Sequence, residues 1–400
     1  MSMLDFAAAR RQLIDAAQPI RRITQCTLDE SLNQVLAEDV HALCDSPPSD
    51  VSTLDGYAIT TTDLAPKGET RLHVTQRITA GDIGHPLGQG DAARIFTGAA
   101  LPSGANAIVA QEEATQSGEQ VLFSVRPAPF EDVRRQGTDF HAGQILVTRG
   151  TRLSPANLGL IASSGVSRLG VYEPLRVALL TSGDEVTAPG QPLRPGCIYN
   201  ANATLLHGLL RQLGCQISHQ IHLPDNFAAT RDVLTRIAGE CEVILTSGGV
   251  SVGDEDHIKA AVESLGRIDL WRVRMKPGKP LAFGYVADTP FIGLPGNPVS
   301  SFATFVLFAR PFLLKRMGAQ VADLRPLRLP AAFSTTRTSD RYEFARGRIT
   351  PEQGIELYVN QGSGILSSLS WADALVELPE NTLIHPGDLV SVHLLSELLA

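Results

Sequence analysis

Between residues 173 and 318 the sequence switches repeatedly between short apolar runs and amphipathic ones, and this alternation restricts the fold more than any other feature. VALLTSG leads through a Pro/Gly-rich loop to leucines 205, 206, 209, 210 and 213, spaced for a helix capped by Asn202 and ended by Gly214. QISHQIHL reads as a strand, Asn226 to Ala238 as a helix, VILTSGG as a buried strand opening another helix, and PLAFGYV and FIGLPGNP as two more strands, the second opening a helix at Val299. Such alternation implies a mostly parallel sheet with helices on both faces, whose ligands bind at the C-terminal ends of its strands.

Three of those strand ends carry the same device. Ser182-Gly183, Ser247-Gly248-Gly249 and Pro295-Gly296-Asn297-Pro298 each place glycine, with a hydroxyl or a proline, directly after a strand. Glycine lets backbone N–H groups approach an anion, and a following helix N-terminus adds partial positive charge. One such loop is equally well a tight connection, but three on one sheet edge point to phosphate or another oxyanion. Asp254, Glu255 and Asp256 follow the second loop, Glu185 follows the first, and Asp225 ends another strand. Asp254 and Glu255 can equally serve as helix cap and first-turn residues. Asp256 is the better ligand, and carboxylates converging from separate strands suit magnesium. Arg272, Lys276 and Lys279 lie on a proline-broken stretch that suits a fixed loop holding an anion, although charges on such a stretch often only face solvent.

A rival reading is that Gly249-Val250-Ser251-Val252-Gly253 forms the nucleophile elbow of an α/β serine hydrolase, which needs an acid and a histidine downstream. The histidines available are His257, on the same helix, and His385 and His393, far along the chain. His219 and His222 lack an acidic neighbour in sequence and face opposite sides of a strand, so they read as structural.

The flanks are different. Residues 1–45 read as two helices, the second opened by a Thr27/Glu30 capping box. From about 51 to 138 short β-type runs alternate with Gly and Pro, a helix starts at Ser154-Pro155, and from 326 the runs are short and turn-separated again. The expected units are therefore 1–50 with 139–172, an inserted β-rich 51–138, an α/β unit 173–325 and a closing β unit 326–400. With 43% hydrophobic and 19% charged residues the composition is that of a globular protein, and a net charge of −8 with no basic run argues against nucleic acid. No apolar run reaches about 18 residues, because Arg310 and Pro311 interrupt the best one, so no membrane span is expected. Five scattered cysteines without a Cys-x-x-Cys pair suit a reducing, cytoplasmic setting.

The segments STLDGYA, RIFTGAALPSGANAIVAQEE, TSGDEVTAPGQPLRPGCIYNAN, TSGGVSVGDEDHIK, VRMKPGKPLAFG and FIGLPGNPVSSF, in that order, resemble the signature segments of the molybdopterin molybdenumtransferases, the bacterial counterparts of the C-terminal domain of gephyrin. The resemblance covers about residues 27 to 395. It implies a multidomain α/β plus β fold in which an elongated helical and β N-terminal part and two small β-rich domains, the last barrel-like, accompany a molybdopterin-binding-like domain. It also implies a homodimer with its site at the subunit interface, and insertion of molybdate into adenylylated molybdopterin with Mg²⁺-dependent release of AMP. Molybdopterin adenylyltransferase, and molybdoenzymes or their chaperones, are the implied partners. Carried over by motif, Asp55, Thr97, Asp139, Glu185, Asp225, Asp256, Lys276, Lys279 and Ser368 fall on positions important in the family, with Glu185 and Asp256 as metal ligands. Ser182, Gly183, Ser247, Gly248, Gly249, Ser251, Arg272, Pro295, Asn297 and Pro298 complete the expected substrate site. Two departures stand out: Arg272 occupies a position that is commonly lysine, and Trp371 one expected to be small. A non-catalytic scaffold relative remains a further alternative, against which the retained acids weigh.

Overall fold

A computed structural model describes residues 3–250, 257–270, 272–352 and 354–399. Its central sheet is built from β1 (Arg176–Ser182), β2 (Gln216–Leu223), β3 (Val243–Ser247), β4 (Gly266–Leu270), β5 (Ala282–Val286) and β6 (Thr289–Leu294), in the spatial order β2-β1-β3-β6-β5-β4. The first four are parallel. β5 runs antiparallel to β6 and β4 antiparallel to β5, so the sheet is mostly parallel with an antiparallel edge: only Ala287 and Asp288 separate β5 from β6, and a connection that short can only reverse the chain. β1 is buried through its interior, and its side chains alternate between the two faces as a strand period demands. Val177 and Leu179 join a core with Leu206, Leu210, Phe302 and Phe312, whereas Ala178 and Leu180 join one with Leu234, Ile237, Ile258 and Ala261 on the other face. The sheet is thus covered on both sides, by α1 (Ala201–Leu213) on one and α2 (Phe227–Ile237) and α3 (His257–Leu265) on the other.

Two expectations about helix starts fail for local reasons. The first helix cap is Asn200, whose side chain accepts the Ala203 N–H at 3.0 Å, and Asn202 lies inside the first turn. The second expected N-terminal helix is absent. Ile23–Thr27 is a strand paired antiparallel with Arg168–Tyr172, and Glu30 accepts from the Thr27 N–H at 3.1 Å and its hydroxyl at 2.9 Å. Only the Glu30 half of the capping box forms, since the Glu30 N–H donates to Thr27 O and not to its hydroxyl, and it closes a turn, because the backbone beyond it is taken up by Leu153, Thr151 and Gly170 through Asn33, Leu36 and Ala37. The helix from Ser154-Pro155 and the one capped by Asn226 form as expected.

The N-terminal helix Phe6–Ala16 packs into the core of the central sheet, with Phe6 4.9 Å from Phe344 and 5.3 Å from Phe308, ring centre to ring centre. Residues 56–123 form a six-stranded sheet with its own core around Tyr57, Ile59 and Val109. A third six-stranded sheet gathers Tyr342–Ile349, Ala374–Leu378 and Leu389–Leu394, and the isolated bridge Ala331–Ile355 joins its flanks. Trp371 fits there by stacking edge-on against Tyr358 at 5.2 Å, beneath the Arg348 guanidinium. No helix among the described residues is long and apolar enough to cross a membrane, although the chain stays helical through Pro311, with π-helical turns over Phe305–Ala309 before it.

Candidate active site

Because β1, β3 and β6 are parallel neighbours, their C-terminal ends lie side by side: Thr181 is level with Ser247, and Ser247 with Leu294. The three loops that follow line one cavity of about 650 Å³, into which α1 also presents its first turn. Ser182, Gly183, Glu185, Asp225, Ser247, Gly248, Gly249, Pro295, Asn297 and Pro298 of the expected site all line it. Gly248 and Gly249 have φ of +92° and +64°, and a Cβ on Gly248 would stand 3.0 Å from the Ser182 hydroxyl. Only glycine lets the second loop lie this close to the first.

The loops are tied by hydrogen bonds. Gly248 N–H donates to Leu294 O at 3.1 Å, and the Ser247 hydroxyl donates to Pro295 O at 3.1 Å. Asn202 Nδ2 donates to Ser247 Oγ at 2.9 Å and to Gly296 O at 2.6 Å, linking the second loop to the third through α1. Asn202 Oδ1 is buried and has no hydrogen-bond partner among the described residues. Asn200, the cap, donates from Nδ2 to Thr181 Oγ1 at 2.9 Å, and Thr181 in turn meets His222 Nδ1 at 3.1 Å. Neither asparagine stood out in the sequence as a site residue. The available signal was polarity at the N-terminus of a helix that faces a glycine-rich edge, and a capping role accounts for that equally well.

Among the described residues two carboxylates reach the cavity. Glu185 folds back over Gly183, where a Cβ would meet its Oε2 at 2.4 Å. Asp225 Oδ2 accepts from the Asp184 N–H at 3.0 Å, and Asp184 Oδ1 accepts from the Asp225 N–H at 3.2 Å, so the two loops brace each other. Magnesium keeps several waters and needs only one or two carboxylates when a substrate phosphate supplies further oxygens, so this donor set fits it. Among the described residues no cluster of three or more His, Cys, Asp or Glu side chains forms. Asp256, like Asp254, Glu255 and Ser251, lies outside the described residues. Among the described residues no histidine lines the cavity. Of the histidines downstream of Ser251, His385 pairs with Asp388 at 3.5 Å and His393 is buried against Glu377 at 2.6 Å. His219 does find an acid, Glu240 at 3.0 Å, and this pairing gives it the structural role expected of it.

The remaining expected residues lie elsewhere in the protomer. Asp55 and Thr97 meet each other in the 56–123 unit, where Asp55 Oδ1 accepts the Thr97 N–H and hydroxyl, both at 2.8 Å. Those two bonds hold the Asp55 carboxyl below its ordinary range, the backbone bond contributing most. Asp139 is exposed. Lys276 pairs with Glu343 of the third sheet at 3.0 Å, Lys279 is exposed and Arg272 half-buried, and of this stretch only Pro280 touches the cavity. Ser368 is fully buried, donating to Ile365 O at 2.6 Å and accepting from Arg346 Nε at 3.0 Å. Arg346 is itself buried, and loss of solvent brings its guanidinium down to about 10.

Three family models match most of the chain. Residues 4–165 match the MoeA N-terminal region (domain I and II), 178–315 a probable molybdopterin binding domain, and 328–395 the MoeA C-terminal region (domain IV). The molybdopterin molybdenumtransferase of Haemophilus influenzae is 32% identical over 405 residues, covering 99% of this chain and 100% of its own length. Molybdopterin molybdenumtransferase 2 of Mycobacterium tuberculosis is 34% identical across 93% of this chain and 94% of its own. The crystal structure of the molybdopterin biosynthesis moeA protein of Pyrococcus horikoshii superposes with a TM-score of 0.85 at 27% identity, covering 98% of this chain and 100% of that one. With a relative this similar matched along its whole length, and with the glycine-rich strand ends assembled into one cavity, the chain belongs to the molybdopterin molybdenumtransferase family.

Proposed function

We propose that this chain is a molybdopterin molybdenumtransferase that inserts molybdate into adenylylated molybdopterin and releases AMP. The observation that carries the reading is the convergence of three glycine-rich strand ends and two carboxylates on one cavity. The substrate brings a pyrophosphate and molybdate a dianion, so bringing them together requires their charge to be offset. Backbone N–H groups of the loops and the N-terminus of α1 orient the pyrophosphate, and Asn202 holds two of the loops in register. Glu185 and Asp225 are the groups that would hold Mg²⁺, with Asp256 completing the set, and the ion supplies charge neutralisation at the phosphates. Lys276, Lys279, Arg272, Asp139, Ser368 and the Asp55–Thr97 pair are proposed to serve the same reaction. Because Asp55 and Thr97 do not line the cavity of their own protomer, a homodimer in which one chain's pair completes its partner's site is the arrangement that employs them.

The proposed domains are 51–138 as the inserted β domain, 173–325 as the molybdopterin-binding domain, 326–400 as the barrel-like domain, and 1–50 with 139–172 as the N-terminal one; separate apolar clusters within the first, third and last support them, whereas the core of the central sheet also takes in Val35, Tyr172, Phe344 and Leu398. Helix Phe6–Ala16 packs with the central domain. A cytoplasmic setting suits five free thiols, and the adenylyltransferase that makes the substrate and the enzymes or chaperones that accept the product are the proposed partners.

The test is AMP release by purified protein given adenylylated molybdopterin, molybdate and Mg²⁺. Release should require all three and should be lost in Glu185→Gln at limiting magnesium. Wild-type turnover of that variant would remove Glu185 from the site, and release without molybdate would refute the transferase reading.

A further inference from the structure

A second cleft, of about 700 Å³, lies where the N-terminal helix, the 152–155 turn, the helix through Arg310 and the 319–325 segment meet. Four arginines line it, Arg10, Arg152, Arg310 and Arg325, against two carboxylates, Asp323 and Glu397. Both acids are exposed, at the rim, whereas the Arg10 side chain is only 12% exposed. Arg10 reaches Asp323 only at 4.0 Å, and its Nε is buried with no hydrogen-bond partner among the described residues. Arg152 donates to the backbone oxygens of Asn33 at 3.2 Å and Gln212 at 3.0 Å, contacts that aim the guanidinium without cancelling its charge.

Burial pulls Arg10 and Arg152 below the ordinary guanidinium range and brings Arg310 to about 10, with repulsion from Arg152 adding to the last. Positive charges gathered in a partly dehydrated cleft repel one another. A multivalent tetrahedral oxyanion matches such a set, since each guanidinium offers a planar fork of donors that fits two oxygens at once.

We propose that this cleft is a binding site for a phosphate-class oxyanion, free or carried on a small phosphorylated molecule, separate from the glycine-rich cavity. None of its lining residues is shared with that cavity.

The experiment is calorimetric titration of the full chain with inorganic phosphate and with pyrophosphate at fixed ionic strength. Saturable binding is expected, weakened about tenfold by Arg152→Gln or by Arg10→Gln, the scale of one charge-assisted hydrogen bond. Ser182→Asp, which places a carboxylate in the glycine-rich cavity, should leave this binding in place. Binding abolished by Ser182→Asp and unchanged in both arginine variants would overturn the proposal, as would no saturable binding in the wild type. Hydrogen exchange on the wild-type chain decides the matter without any variant. Phosphate should protect amides in 149–155 and 319–325, and protection confined to 181–186 and 247–250 would assign the anion to the other cavity. A phosphorylated metabolite is distinguished from free phosphate by mass spectrometry of ligand retained through native purification.

Discussion

Asn202→Ala isolates the tie between the second and third glycine-rich loops. The substitution removes two hydrogen bonds, to Ser247 Oγ at 2.9 Å and to Gly296 O at 2.6 Å, each with a net contribution of about 1 kcal/mol. Ser247 keeps its bond to Pro295 O, and the cavity admits water to Gly296 O, so neither group is stranded. Two terms act the other way. The unpartnered Oδ1 of Asn202 disappears, and alanine is the better helix residue by up to about 0.7 kcal/mol. Stability measured by urea unfolding should therefore fall by only about 1 kcal/mol. Turnover should fall much further, by about 10²-fold, because the loops lose the register that aims their N–H groups. Asn202→Asp should be worse than Asn202→Ala in both assays. It keeps the shape but sets a carboxylate oxygen against Gly296 O, which has no hydrogen to donate, and adds negative charge where an oxyanion must sit. An alanine variant with wild-type AMP release, or an aspartate variant faster than the alanine one, would refute the argument that Asn202 sets the loops.

Gly248→Ala combines a left-handed φ with a Cβ 3.0 Å from the Ser182 hydroxyl, so a loss of about 1–2 kcal/mol in unfolding free energy is expected, with weakened substrate binding in the same variant. Glu242 accepts from Arg176 at 2.7 Å and pairs with Arg22 at 2.9 Å; burial pushes its carboxyl up, but these bonds outweigh burial and leave it below its ordinary 4.5. A depressed carboxyl stabilises the fold fully above its unfolded pKa and loses that contribution as pH falls through the folded value. Glu242→Gln should then lower stability by about 2 kcal/mol at pH 7, with the two unfolding curves converging below about pH 4; a constant difference down to pH 2 would show that the charge is not responsible. Asp55→Ala and Glu185→Ala, each inactive alone, should regain activity when mixed under subunit exchange, since heterodimers hold one undamaged site. Verified exchange with no recovery would mean that each chain carries its own complete site.

Local chemistry alone determined much of this protein. Strand and helix periods located the central sheet, and Ser154-Pro155 and Asn226 marked helix starts, because a cap acts within one turn of its own residue. The glycine-rich strand ends were equally legible, since parallel neighbouring strands must deliver their C-termini to one edge. Wherever a local signal had two physical outcomes, tertiary pairing chose between them. Glu30 makes its half of the capping box to the Thr27 N–H, yet the chain beyond pairs with residues more than a hundred positions away and does not continue as a helix. Asn200 and Asn202 are both good cap residues, and only the packing of α1 against the loops gives the cap to one and the Ser247–Gly296 link to the other. The meeting of Asp55 with Thr97, and of Arg10 with Arg152 and Arg310, joins side chains from distant segments. Sequence spacing carries no signal for such encounters, because the position of each segment is decided by the burial of its own apolar face.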